Sequence, residues 1–298
     1  RIFSYFIKDE NKSISIMKTI LVPTDFSEQA KNATKLAAEI ARKSGARILL
    51  VHIIEASRSF SFNTMGEAAE SAGEDAFFLN RLIEIQKEHL DEAAKATFLK
   101  GLTVEKILEM GNPYQGISNV IAQHKADLLV MGTKGSSGLD EILIGSNTEK
   151  VVRYATCPVI TVKDELSLSD IKNIVYATNL STDQSKFISH LKIMREITGA
   201  KVHLVKVNTP NHFYTQRQMN ESFKKFTKKY DLDDVTLNVY NEATEEDGIL
   251  YFAEDLGSCM IAIATHGRTG LLHLLTGSIA EDLVNHATIP VMTLSMKK

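Results

Sequence analysis

Residues 131–151, MGTKGSSGLDEILIGSNTEKV, set Gly132, Gly135, Gly138 and Gly145 around one short stretch and then offer Ser146 and Asn147 where a helical pattern begins. Glycine has no Cβ, so its backbone can approach a ligand closely and can adopt positive φ without penalty. A helix opening at Gly145 and Ser146 presents unpaired N–H groups and the positive end of its dipole, which suits an anion, most naturally phosphate. The same residues also have a purely structural reading, in which glycines punctuate a loop and Ser146 is an ordinary N-cap. Neither GxxxxGK[ST] nor GxGxxG occurs, so no P-loop or dinucleotide fingerprint decides between the two.

The elements that must position this loop are legible because the chain repeats itself. KTILVPTDFSEQAKNATKLAAEIARKSGARILLVHII (18–54) matches KNIVYATNLSTDQSKFISHLKIMREITGAKVHLVKVN (172–208) at an offset of 154. Residues 126–162 match 258–294 at an offset of 132, which predicts that the second copy has lost 22 residues between its second and third strands. In the first copy the pattern predicts strands near 18–23, 46–54, 102–109, 127–132 and 158–163, and helices near 27–44, 75–100, 113–125 and 146–155. Strands such as RILLVHII are continuous apolar runs, as a parallel sheet covered on both faces requires. Alternating strand and helix imply right-handed crossovers and an open doubly wound sheet. Ligands of such sheets sit beyond the carboxyl ends of the strands, where the strand order reverses, so PTDFS after the first strand and MGTKG after the fourth are expected to face one crevice.

Composition bounds the rest. A chain of 298 residues suits two domains, and 44% apolar with 24% charged residues is ordinary for a globular protein. A formal net charge of -3 gives no basic footprint for nucleic acid. Cys157 and Cys259 make neither a disulfide framework nor a zinc site, which fits a cytoplasmic setting, and no stretch reaches the length of a membrane span. The expected organisation is an appended or upstream extension over 1–16, a first domain over 17–164, a linker over 165–170 and a second domain over 171–298. Residues 56–74 read as a mobile loop present in the first copy alone.

The spacing of Gly132, Gly135 and Gly145-Ser146, together with PTDFSEQA after the first strand, resembles the nucleotide-binding signature of the universal stress proteins. The resemblance runs over nearly all of residues 17–298 as two tandem copies. It implies two Rossmann-like domains of the adenine nucleotide alpha hydrolase-like kind, each a five-stranded parallel sheet of order 3-2-1-4-5 with helices on both faces. It implies ATP, or AMP or ADP, bound in the crevice, with Mg where phosphates hold it. Carried over, Pro23 and Thr24 line the adenine side, Ile53 offers backbone groups to the base, and Asp25 contacts the ribose or a phosphate-bound metal. Met131, Gly132, Gly135, Gly145, Ser146 and Asn147 complete the site, the glycines and helix start holding the phosphates. Asp25 also has a bland reading as a helix cap. Asn147 stands where a small apolar residue is usual, and Lys134 where histidine is usual. The two domains are expected to pair through PVITV and PVMTL as an intramolecular pseudo-dimer, with a homodimer as a further step.

The second copy departs from the pattern at Ala177, Asn179 and Ala264, although Gly267, Gly277 and Ser278 remain. Asparagine brings no negative charge for a divalent metal. A weak second site over Thr178, Asn179, Val207, Gly267, Gly277 and Ser278 is therefore the expectation, and His266 reads as structural. No GxSxG, HExxH or pyrophosphatase loop is present, so the chain reads as a stress-response regulator that binds nucleotide, with at most slow ATP hydrolysis or autophosphorylation at Ser136 or Ser137. The alternatives are a module for a lipid-like or other small ligand through the second domain, and an interaction scaffold.

Overall fold

Successive residues of the first strand are buried on opposite sides of the sheet: Ile20 and Val22 pack in one cluster with Leu36 and Ile40, while Leu21 packs in another with Ile117 and Val152. That two-sided burial is why the strands read as unbroken apolar runs. The computed structural model describes residues 17–55, 71–133, 145–180, 183–265 and 279–296. The first half comprises β1 (Thr19–Pro23), α1 (Glu28–Ser44), β2 (Arg47–Ile54), α2 (Ser71–Ala94), β3 (Val104–Met110), α3 (Pro113–His124), β4 (Leu128–Gly132), α4 (Ser146–Tyr154) and β5 (Val159–Val162). The second comprises β6 (Asn173–Ala177), α5 (Ser185–Thr198), β7 (Lys201–Asn208), α6 (Gln216–Tyr230), β8 (Val235–Asn241), α7 (Glu245–Leu256), β9 (Cys259–Thr265), α8 (Ile279–His286) and β10 (Val291–Ser295).

The strand order is β3-β2-β1-β4-β5-β10-β9-β6-β7-β8, so each half has the doubly wound order 3-2-1-4-5. Pairing is parallel within each half, and β5 meets β10 antiparallel with Met292 opposite Ile160, which joins the halves into one ten-stranded sheet. Helices α1, α2, α5 and α6 contribute to the cluster on one face, and α3, α4, α7 and α8 to that on the other.

Local chemistry sets the helix ends. Ser27 caps α1 by accepting from the Ala30 N–H, and Gly45 ends it in the left-handed region at φ 75°. Asn112 caps α3, with Pro113 in its first turn. Between the halves, Ser167 and Asp170 form a capping box around a one-turn 3₁₀ helix. Glu39 of α1 accepts from the Ser167 hydroxyl at 2.9 Å and the Leu168 N–H at 2.7 Å, pinning this connection to the first half.

Three expectations need correction. The second helix starts at Ser71, so 71–74 belong to it, while 56–70 lie outside the described residues. It ends at Ala94, because Ala96 turns to an extended ψ and a separate 3₁₀ turn, Thr97–Leu99, carries Leu99 into the core. The register also refines the repeat. Ile48 pairs with Val104 and Val202 with Val235, so the offset falls from 154 on the second strands to 131 on the third. Twenty-three residues are therefore missing between those strands, and one is regained before α7, which restores the 132 offset from α3.

Candidate functional site

The strand order reverses between β1 and β4, which are direct neighbours with Ile20 opposite Leu128. Their carboxyl ends therefore place Pro23–Asp25 and Met131–Gly132 at one crevice. The β1–α1 turn is held rigidly against β2. Thr24 donates its N–H to the Val51 carbonyl at 2.8 Å, and its own carbonyl lies 2.7 Å from His52 Nδ1. The Thr24 hydroxyl oxygen accepts from the Phe26 N–H at 3.0 Å, stabilising Phe26 at φ 65°, a conformation that non-glycine residues adopt uncommonly. The Phe26 ring then lies 4.5 Å from that of His52. Asp25 at the tip is exposed, and its Oδ1 accepts from the Ser27 N–H at 3.0 Å. The capping of α1 itself falls to Ser27, which leaves Asp25 a turn former with its carboxylate toward solvent.

Across the crevice, Met131 is buried and Gly132 is the last residue of β4. The reason for glycine at 132 differs from the one expected. A Cβ there would lie 2.7 Å from the Gln29 carbonyl carbon and 2.8 Å from its oxygen, so the glycine admits the first turn of α1 against β4. Thr133 and Gly145 meet through the Gly145 N–H and the Thr133 carbonyl at 3.4 Å, so these two residues lie side by side. Gly135, Lys134, Ser136 and Ser137 belong to that segment and lie outside the described residues.

Helix α4 begins differently from α1 and α3. Its N-cap is Gly145, with no side-chain cap, and Ser146 is the first helical residue, not the cap. Among the described residues the N–H groups of Ser146, Asn147 and Thr148 have no acceptor, while the Gly145 carbonyl already takes the Glu149 N–H at 3.1 Å. Ser146 is exposed and Asn147 half-buried. Ile53 lies near the end of β2, the other neighbour of β1. Its Cδ1 would be 2.7 Å from a Cβ on Gly116 of α3, so that glycine lets the helix lie against it.

The second half repeats the turn but satisfies it internally. Thr178 donates to the Val205 carbonyl at 3.1 Å and accepts from the Leu180 N–H at 3.1 Å, with Leu180 at φ 62°. Gln184, which replaces the Ala30 of the first copy, is buried beneath it. Its Nε2 donates to Thr178 Oγ1 at 2.9 Å and reaches Asn179 Oδ1 at 3.4 Å, while Tyr176 donates its hydroxyl to Gln184 Oε1. Asp183 accepts from Ser185 and from the Tyr230 hydroxyl, which brings its carboxyl down to about 2. Val207 packs over Gly248 as Ile53 does over Gly116. Gly267, Gly277, Ser278 and His266 lie outside the described residues. Among the described residues no group of His, Cys, Asp and Glu could hold a metal ion by itself, and no helix is long and apolar enough to cross a membrane. Burial pushes the Cys157 thiol up to about 12, which removes it as a nucleophile.

Sequence reasoning missed Gln29, Gln184 and Gly116. The last had a signal: Gly116 and Gly248 recur at the 132 offset inside helical patterns, where a glycine needs a packing reason.

The order reversal in both halves and the paired strand ends define a tandem, doubly wound α/β protein of the Rossmann-like class. The universal stress protein family model matches residues 17–163 and again 170–295. The chain belongs to the universal stress protein family. A universal stress protein of Methanocaldococcus jannaschii is 33% identical over 149 residues, covering 50% of this chain and 84% of the relative. One of Thermus aquaticus is 33% identical over 150 residues, covering 50% of this chain and all of the relative. The crystal structure of a universal stress protein from Archaeoglobus fulgidus superposes with a TM-score of 0.72 at 19% identity, covering 94% of this chain and 99% of that one, a likeness of fold.

Proposed function

We propose that the chain is a stress-response regulatory protein that binds an adenine nucleotide, ATP above all, in the β1–β4 crevice of the first half. The observation that carries this reading is the start of α4: a glycine N-cap and three backbone N–H groups without acceptors among the described residues, in the segment that follows β4, the neighbour of β1. Such a helix end favours phosphate through both hydrogen bonding and its dipole. Pro23, Thr24 and Ile53 would border the base, Met131 and Gly132 the middle of the crevice, and Gly135, Gly145, Ser146 and Asn147 the phosphates. Asp25 would take the ribose or a phosphate-bound Mg. When bound, the nucleotide supplies negative charge and an aromatic base, and the chain's own residues hold it without a general base of their own.

The two Usp matches support domains over 17–164 and 171–298 joined by 165–170, and the β5–β10 pairing supports an internal pseudo-dimer. The second crevice is read as weaker, because Gln184 already occupies the polar groups of Thr178 and Asn179. Calorimetry with Mg-ATP tests the reading. Micromolar uptake by the intact chain, lost in Asp25→Ala and Gly135→Val, supports it. No uptake, with an apolar molecule released on denaturing the purified protein, supports the small-ligand alternative instead.

A further inference from the structure

Lys206 of β7 stands 154 positions after His52 of β2, on the sheet face that packs Leu204 against α5 and α6. The two residues are handled differently. His52 gives its Nδ1 to the Thr24 carbonyl, whereas Lys206, only 9% exposed, has neither a hydrogen-bond acceptor nor a carboxylate within ion-pair distance among the described residues. Its Nζ lies 5.7 Å from the centroid of the Tyr214 ring.

That ring is held in place. Asn208, two residues along the same strand face, accepts the Tyr214 N–H at 2.7 Å and donates to the Tyr214 carbonyl at 3.3 Å. Asn208 is buried and is itself fixed by the Asn241 side chain at 3.1 Å. The first copy has Ile54 in place of Asn208, so the clamp belongs to the second half. Burial holds the Lys206 amine below the ordinary lysine range. Glu245, at the start of α7, is the charged neighbour that acts in the opposite sense, and it lies 3.4 Å from His212. The π face of Tyr214 favours the ammonium, whereas burial favours the neutral amine, the form in which lysine acts as a nucleophile toward carbonyl carbon.

We propose that Lys206 is a covalent site for small carbonyl compounds, aldehydes above all, with Tyr214 as its cover. The amine nitrogen adds to the carbonyl carbon to give a carbinolamine. Loss of water, which carries off the carbonyl oxygen and both amine hydrogens, leaves an imine. Tyr214, 42% exposed, would separate that bond from bulk water on its outer side.

The test treats the full chain at neutral pH with limiting acetaldehyde and cyanoborohydride and follows ethylation of each lysine by peptide mass spectrometry. Lys206 is expected to be ethylated ahead of the exposed Lys43, Lys224 and Lys228. Lys206→Met should remove the early adduct while leaving the later ones and the thermal transition in place. Tyr214→Ala, which lets water onto the amine, should erase the lead. Labelling of Lys206 only after the exposed lysines, or not at all, overturns the proposal, and a lead kept in Tyr214→Ala overturns the role of the cover. Neither result depends on nucleotide binding.

Discussion

The Cβ that Gly132 lacks would sit 2.7 Å from the carbonyl carbon of Gln29, 103 positions earlier in the chain. One absent methyl thus sets how closely the first turn of α1 meets the end of β4, and with it the width of the crevice. The second half carries Ala264 at the equivalent position, and there the counterpart of Gln29 is Asp183, which precedes the first residue of α5. Gly132→Ala is therefore expected to cost about 1–3 kcal/mol through overpacking. Ala264→Gly should change stability by less. Urea unfolding of both variants checks the contrast, and equal losses would count against it.

Gly116 and Ile53 make a second close pair. Gly116→Ala places a Cβ 2.7 Å from Ile53 Cδ1, the atom that Ile53→Val deletes. The alanine is expected to destabilise the wild-type chain and to become neutral or stabilising beside Ile53→Val, where its helix preference of roughly 0.5–1 kcal/mol is realised. A double-mutant cycle reads this directly, and additive effects would contradict it.

Much of this architecture was legible from residue pattern alone, for identifiable reasons. The strands β1, β2 and β4 are apolar on both sides, so their spans follow from composition to within a residue or two. The 3-2-1-4-5 order followed from alternation of strand and helix plus the resemblance. The glycine at 132 was legible, but its cause was not, because Gln29 is remote in sequence. Gln184 looks like an ordinary polar residue at a helix start, and only the fold shows it filling the second turn. The 154-to-131 change of offset escaped because the third strands align poorly as letters and only their pairing fixes the register.

Arg153 of α4 and Glu281 of α8 tie the two halves together. Arg153 Nε and Nη2 lie 2.6 and 2.5 Å from the two Glu281 oxygens, and the Glu281 side chain is only 7% exposed. The pair holds the guanidinium pKa above its ordinary value. The internal two-fold would match it with Asn285 and Glu149, so the repeat does not duplicate this pair. Arg153→Ala takes the guanidinium away from a buried carboxylate and is expected to cost about 1–3 kcal/mol in urea unfolding. Adding Glu281→Gln should recover part of that loss. A double variant no better than Arg153→Ala would contradict the pairing.

His203 bridges three strands, with Nε2 3.0 Å from Asn173 Oδ1 and Nδ1 2.7 Å from Thr236 Oγ1. Desolvation, and then Lys201, lower its pKa from 6.5, so the fold favours the neutral ring. The unfolded chain takes the proton first as pH falls. The stability that His203 contributes is therefore complete above the ordinary histidine pKa and declines as pH drops through it toward the lower folded value. Thermal unfolding between neutral pH and about pH 5 should show a shallower decline in His203→Gln than in the wild type. An unchanged slope would contradict the assignment.

Hydrogen exchange with and without saturating Mg-ATP tests the central proposal most directly. The account predicts slower exchange at the backbone amides of 24–27 and 145–148, with little change at 178–180. Protection confined to the second half, or none in either half, would contradict nucleotide binding at the first crevice.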